Sequence, residues 1–226
     1  MAAARARTSD NASAATLPWS TALLVALPIP TTVALAIAMP WDDHGRLSYA
    51  IANTAVVCLL IAVLRRHKVA LGNVGVRTPR PVDGPLAVAG LLAGFVAYGV
   101  AVAINALVGT PMQTAVLHPN LTALGLLIQA LYAVVVAPAA EELIYRGFLI
   151  SFLEGRGLST GRSAALSVLL FAGVHLPGFG VGGFVFILLW APIPTTLFLV
   201  RRSLAPGWMM HAANNAWAYL ALPLIS

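Results

Sequence analysis

The chain has 226 residues, 60% of them hydrophobic and 9% charged, with a mean hydropathy of +0.89 and a formal net charge of +6. Soluble domains carry about 25% charged residues, so this composition excludes a soluble globular enzyme and points to an integral membrane protein. The basic residues fall in short connections and near the amino terminus, which suits helix orientation in a bilayer and argues against nucleic acid as a partner.

Residues 1–18 read as a polar, alanine-rich tail carrying Arg5 and Arg7, and residues 19–222 as a single transmembrane domain. The apolar run after the tail is too long for a signal peptide and lacks a convincing cleavage site, so it is expected to be a retained span. That first span covers 19–39, kinked by Pro28 and Pro30. A polar turn over 40–47 holds Asp42 and Asp43. The second span, 48–64, is closed by Arg65, Arg66, His67 and Lys68. A loop over 69–85, with Arg77 and Arg80, leads to a third span at 86–108, whose small residues permit close helix contact. After an uncharged loop over 109–120, a fourth helix begins at Leu121 and is expected to run to Leu153, bent by Pro138. The polar turn 154–162 separates it from a fifth span at 163–176. The sixth, 183–199, is broken by Pro192 and Pro194 and ended by Arg201 and Arg202; the seventh is 206–222.

The expected fold is therefore an all-α polytopic bundle of about seven spans, with six to eight as the range because the fifth and seventh are short. With the amino terminus in the cytoplasm, eleven of the basic residues collect on the inner side: Arg5, Arg7, Arg65, Arg66, Lys68, Arg77, Arg80, Arg156, Arg162, Arg201 and Arg202. The outer loops hold only Arg46, a positive-inside pattern expected of a bacterial plasma membrane. The single Cys58 lies in an apolar run, which excludes an internal disulfide and a thiolate metal cluster.

Two of the three glutamates in the chain, Glu141 and Glu142, are adjacent behind the apolar run 121–140. A carboxylate at that depth is costly to desolvate and is a functional-site hypothesis by default, although a charged helix end at the membrane surface is the simpler reading. Arg146 is four residues beyond Glu142 and can pair with it, whereas Glu141 points about 100° away with no local partner. His175 lies within the fifth segment, one turn after Phe171. His211 and Asn215 share a helical face in the seventh. Singly, each could serve as a hydrogen bond across a bundle. Together they supply what hydrolysis requires: a glutamate base, a histidine to orient the same water, and an imidazole and an amide as oxyanion donors. The alternative chemistry is zinc activation of water by Glu141, His175 and His211, although the chain has no HExxH.

The sequence EELIYR (141–146) resembles the EExxxR motif of the CPBP family of membrane proteases, also known as the CAAX protease and bacteriocin-processing or Abi family. Phe171 to His175 resembles its FxxxH motif and His211 to Asn215 its HxxxN motif, in the same order, so the protease-like core spans about 86–222. The resemblance implies that Glu141 activates water with His175, that His211 and Asn215 form the oxyanion site, and that Glu142 and Arg146 support it. It also favours a metal-independent glutamate mechanism, with zinc as the alternative cofactor. The implied activity is an intramembrane endopeptidase whose partners are the lipid bilayer and a membrane-associated peptide or protein. A second reading is an inactive immunity or regulatory protein that binds a peptide through the same cavity. A transporter built on the proline-broken helices is the third, disfavoured because no paired inverted segments are evident.

Overall fold

The computed structural model describes residues 14–23, 43–112 and 122–221. Most of the expected first span, the turn at 40–42 and most of the 109–120 loop lie outside the described residues. Within them the chain is helical, without a strand, as composition requires. Two short 3-10 turns, Ala14–Thr16 and Trp19–Ala22, precede helix α1, Asp43–Arg66. This helix starts before the expected position 48, because part of the polar turn is itself helical. A 3-10 turn at Leu71–Val74 joins it to α2, Asp83–Val108.

The fourth helix, α3, is continuous over Ala123–Gly155. Helix α4 covers Thr160–Trp190, α5 Pro192–Arg201 and α6 Ala205–Ala216, which runs on as a wider π-helical turn through Trp217–Ala221. Asp83–Val108, Ala123–Gly155 and Thr160–Arg201 are each long and apolar enough to cross a membrane. The expected gap between the fifth and sixth spans corresponds to a break inside α4: Gly180 has φ 64° and ψ −171°, a region open essentially to glycine alone. The expected break in the sixth falls at Ala191, after which Pro192 opens α5 at a helix start, where its missing N–H costs nothing.

Helix α6 is the centre of the bundle, packed against α2, α5 and the first wide turn of α3. What lets it in is the buried face of α2: Ala87, Gly90, Gly94, Ala97 and Ala101, at alternating three- and four-residue steps. A Cβ on Gly90 would lie 3.1 Å from the Met210 sulfur, and one on Gly94 3.2 Å from Trp190 Nε1. Small residues here convert directly into close backbone approach. The ends of the helices are tied by charge: Arg201 Nε donates to Asp83 Oδ1 at 2.9 Å, and Arg202 donates through Nη1 and Nη2 to the two oxygens of Glu154 at 2.7 and 3.0 Å. The amino-terminal turns are held by Arg156, which donates to the Leu17 carbonyl and lies over the rings of Trp19 and Phe152.

Candidate active site

Helix α3 is not a regular α-helix. Leu131–Val136 and Glu142–Leu149 are π-helical, on either side of an α-helical turn at Ala137–Glu141. Such wide turns recur at functional sites because they leave backbone groups unpaired in the ladder. Pro138 has no N–H, so the carbonyl five residues earlier, Ala133 O, lacks the donor that the wide register would supply. Asn215 Nδ2 donates to that carbonyl at 2.9 Å. The amide of α6 thus satisfies the proline-freed carbonyl of α3, which fixes the two helices in register at the site.

Glu142 and Arg146 are buried, with side-chain exposures of 1% and 0%. Arg146 Nη1 lies 3.3 Å from Glu142 Oε1 as an ion pair without hydrogen-bond geometry. The guanidinium is held from other sides as well. Nε donates to Thr195 Oγ1 at 3.3 Å and Nη2 to the Ala191 carbonyl at 3.4 Å, and its central carbon stands 4.1 Å over the Phe171 ring. A buried guanidinium with several partners is a cation the fold has committed to keeping.

His211 lies between the two glutamates. Its Nδ1 is 3.0 Å from Glu142 Oε1 and its Nε2 is 3.5 Å from Glu141 Oε2. A carboxylate facing Nδ1 favours the tautomer with the proton there, so Nε2 is the nitrogen turned to Glu141. Glu141 is 23% exposed, whereas Glu142 is sealed. Two adjacent residues of one type therefore have different environments.

Phe171 organises the aromatic wall. Its ring is edge-on to Tyr145 at 5.3 Å, stacked on Trp190 at 6.2 Å, and in contact with both imidazoles, His175 at 4.6 Å and His211 at 6.1 Å. Its own carbonyl receives His175 Nδ1 at 2.7 Å. A carbonyl only accepts, so Nδ1 carries the proton and the neutral ring keeps its lone pair on Nε2. This explains the four-residue spacing of Phe171 and His175: one residue supplies the ring wall and sets the tautomer of the next.

Arg146, Glu142, His211 and Glu141 thus form a chain of contacts in that order, His175 joins through Phe171, and Asn215 through the backbone of α3. Among the described residues, no three His, Cys, Asp or Glu side chains are arranged to hold a metal ion, and the alternative set Glu141, His175 and His211 is no exception. Two further participants were not anticipated. Trp190 packs against His211 at 4.7 Å, with its buried Nε1 unpartnered. Gly207, one turn before His211, leaves room for Glu142 Oε2, which would lie 3.0 Å from a Cβ at that position. The position of Gly207 four residues before His211 was the available signal for the second; Trp190 carried none.

Residues 123–217 match the family model described as type II CAAX prenyl endopeptidase Rce1-like. The matched segment contains all three motifs, in agreement with the CPBP resemblance. No curated protein and no solved structure matches the chain.

Proposed function

We propose, from this family match and the geometry around His211, that the chain is an intramembrane endopeptidase cutting a peptide bond in a membrane-associated peptide or protein. Glu141 and His175 activate a water: Glu141 takes its proton as the oxygen attacks the carbonyl carbon. His211, with Nδ1–H held on Glu142, stabilises the developing oxyanion through Nε2–H when it carries a second proton, and Asn215 does so through the N–H not given to the Ala133 carbonyl. The proton then passes from Glu141 to the amide nitrogen as the C–N bond breaks, which leaves a carboxyl and an amino terminus. The observation that carries this reading is the division of labour between the glutamates: Glu142 is sealed on Arg146 and His211, and Glu141 faces the other nitrogen of the same imidazole with its carboxylate partly exposed. No step uses a metal.

The test compares peptide termini in membranes from cells with wild-type protein and with Glu141→Gln at matched expression. New termini present only with the wild type are expected, with a loss of roughly 100-fold or more in the variant, the range for removing a general base. A cellular effect that persists undiminished in Glu141→Gln, with no terminus changed, would instead establish the binding or immunity role. Metal dependence is checked separately. Elemental analysis of active purified protein is expected to find no stoichiometric zinc, and activity should survive chelation. Loss of activity restored by zinc alone would reassign Glu141, His175 and His211 as ligands.

A further inference from the structure

A polar cavity of about 460 Å³ lies at the opposite end of α5 from the Ala191 carbonyl that holds Arg146. Its walls come from the connection between α1 and α2, the last turn of α3 and the last turn of α5, with Asn73, Arg77, Ser151, Glu154, Phe198 and Arg202 among the lining residues. We propose that this cavity binds the phosphate headgroup of an anionic phospholipid.

Depth is the first argument. All three membrane-length helices end here: α3 at Gly155, the α4–α5 run at Arg201, and α2 at Asp83, whose carboxylate is tied to Arg201. The level at which spans end is the headgroup level of a bilayer. Basic residues cluster at the same end: Arg65 and Arg66 close α1, Arg77, Arg80 and Arg156 stand in the adjoining connections, and Arg162 lies in the first turn of α4. Anionic headgroups are attracted to such an end.

Charge inside the cavity is the second. The carboxylate of Glu154 is fully engaged, accepting from both Arg202 nitrogens and from Thr160 Oγ1 at 2.7 Å. Arg77 donates through Nε to the Gly72 carbonyl at 3.3 Å, which fixes the guanidinium while its two terminal nitrogens have no partner among the described residues. Arg77 and Arg202 against Glu154 leave one net positive charge, and a phosphodiester carries one negative charge. The terminal edge of a guanidinium is shaped for bidentate contact with phosphate oxygens.

Shape is the third. Arg202 adopts a left-handed conformation, φ 48°, which is uncommon for a residue with a side chain. That turn ends α5 and brings the Arg202 guanidinium back onto Glu154, with Phe198 beneath it at 5.9 Å. The cavity therefore has a polar lining beside an aromatic wall, which matches a phosphate attached to a glycerol backbone.

The full chain, purified in detergent, is mixed with equimolar phosphatidylglycerol and phosphatidylcholine and read by native mass spectrometry. Retention of one phosphatidylglycerol in preference to phosphatidylcholine is expected. Arg77→Gln should lower the retained fraction roughly tenfold, the effect of one charge-assisted contact. Arg77→Lys should retain more than Arg77→Gln, and Arg66→Gln, which removes a charge at the same end but outside the cavity, should match the wild type. Equal losses in Arg77→Gln and Arg66→Gln would reduce the effect to bulk charge and overturn the site. No preference between the lipids, or no effect of Arg77→Gln, would also overturn it. Displacement by glycerol phosphate at the concentration of the lipid would show a site for soluble phosphate and overturn the lipid assignment.

Discussion

The same chemical pair, a carboxylate with a guanidinium, occurs at two depths in this protein. At the helix ends, Asp83–Arg201 and Glu154–Arg202 close at 2.7–3.0 Å in hydrogen-bonded geometry. In the core, Glu142 and Arg146 stand 3.3 Å apart without that geometry, and Glu142 Oε2 is left buried and unpartnered. If the core pair existed for stability it would be the better formed of the two, because desolvation at that depth has to be offset by excellent geometry. Its imperfect closure is explained by what else Glu142 Oε1 must hold: it accepts from His211 Nδ1 while facing Arg146. The core pair is a mount for an imidazole, and the end pairs are fasteners between helices.

Removing the core arginine sharpens this contrast most. Arg146→Ala strands Glu142 in an apolar interior and removes the cation from the face of Phe171. It should cost about 3–5 kcal/mol, read as a fall in thermal stability and in detergent-solubilised yield. The double variant Glu142→Leu with Arg146→Met, which removes both charges and the acceptor for His211 Nδ1, should recover much of that stability and still be inactive, because His211 has lost its anchor. A double variant as unstable as Arg146→Ala, or one that retains activity, would remove the distinction between mount and fastener.

A subtler break targets the room left for the carboxylate. Gly207→Ala places a methyl about 3 Å from Glu142 Oε2. The backbone on one side and the Glu142–Arg146–His211 contacts on the other leave little slack, so overpacking should cost about 1–3 kcal/mol. The carboxylate should shift and turn His211 away from Glu141, so the catalytic rate should drop further than the stability change explains. Unchanged activity with lowered stability would mean that Glu142 does not position His211.

Much of this was legible in the sequence. Hydropathy located the long apolar helices, and the steps of small residues along α2 foretold a face of close contact. The spacing of Glu142 and Arg146, and of Phe171 and His175, carried the local half of the site, since four residues on a helix are neighbours. The join between distant segments was not legible. Nothing in the spacing of His211 told that its two nitrogens face two different glutamates, or that Asn215 answers a carbonyl left open by Pro138. The π-helical turns of α3 were also hidden, because backbone register is a property of the packed bundle and no residue pattern here announces it. Trp190 was passed over since a tryptophan in an apolar run reads as core, and only its place against His211 makes it part of the site.

The smallest effect is expected at the fasteners. Arg202 and Glu154 have side-chain exposures of 42% and 23%, so water and salt screen the pair, and pairs of this kind are typically worth about 0.2–1 kcal/mol. Arg202→Gln removes one charge and leaves Glu154 its contact with Thr160 Oγ1, in a position where water can solvate the carboxylate. The loss of thermal stability should therefore be slight and should shrink further as salt is raised, whereas the loss from Arg146→Ala should be insensitive to salt. The two variants measured side by side at low and high ionic strength make the comparison quantitative. If Arg202→Gln proved as damaging as Arg146→Ala at both salt concentrations, depth would not be what separates the two kinds of pair, and the end pairs would have to be counted among the structural determinants of the bundle.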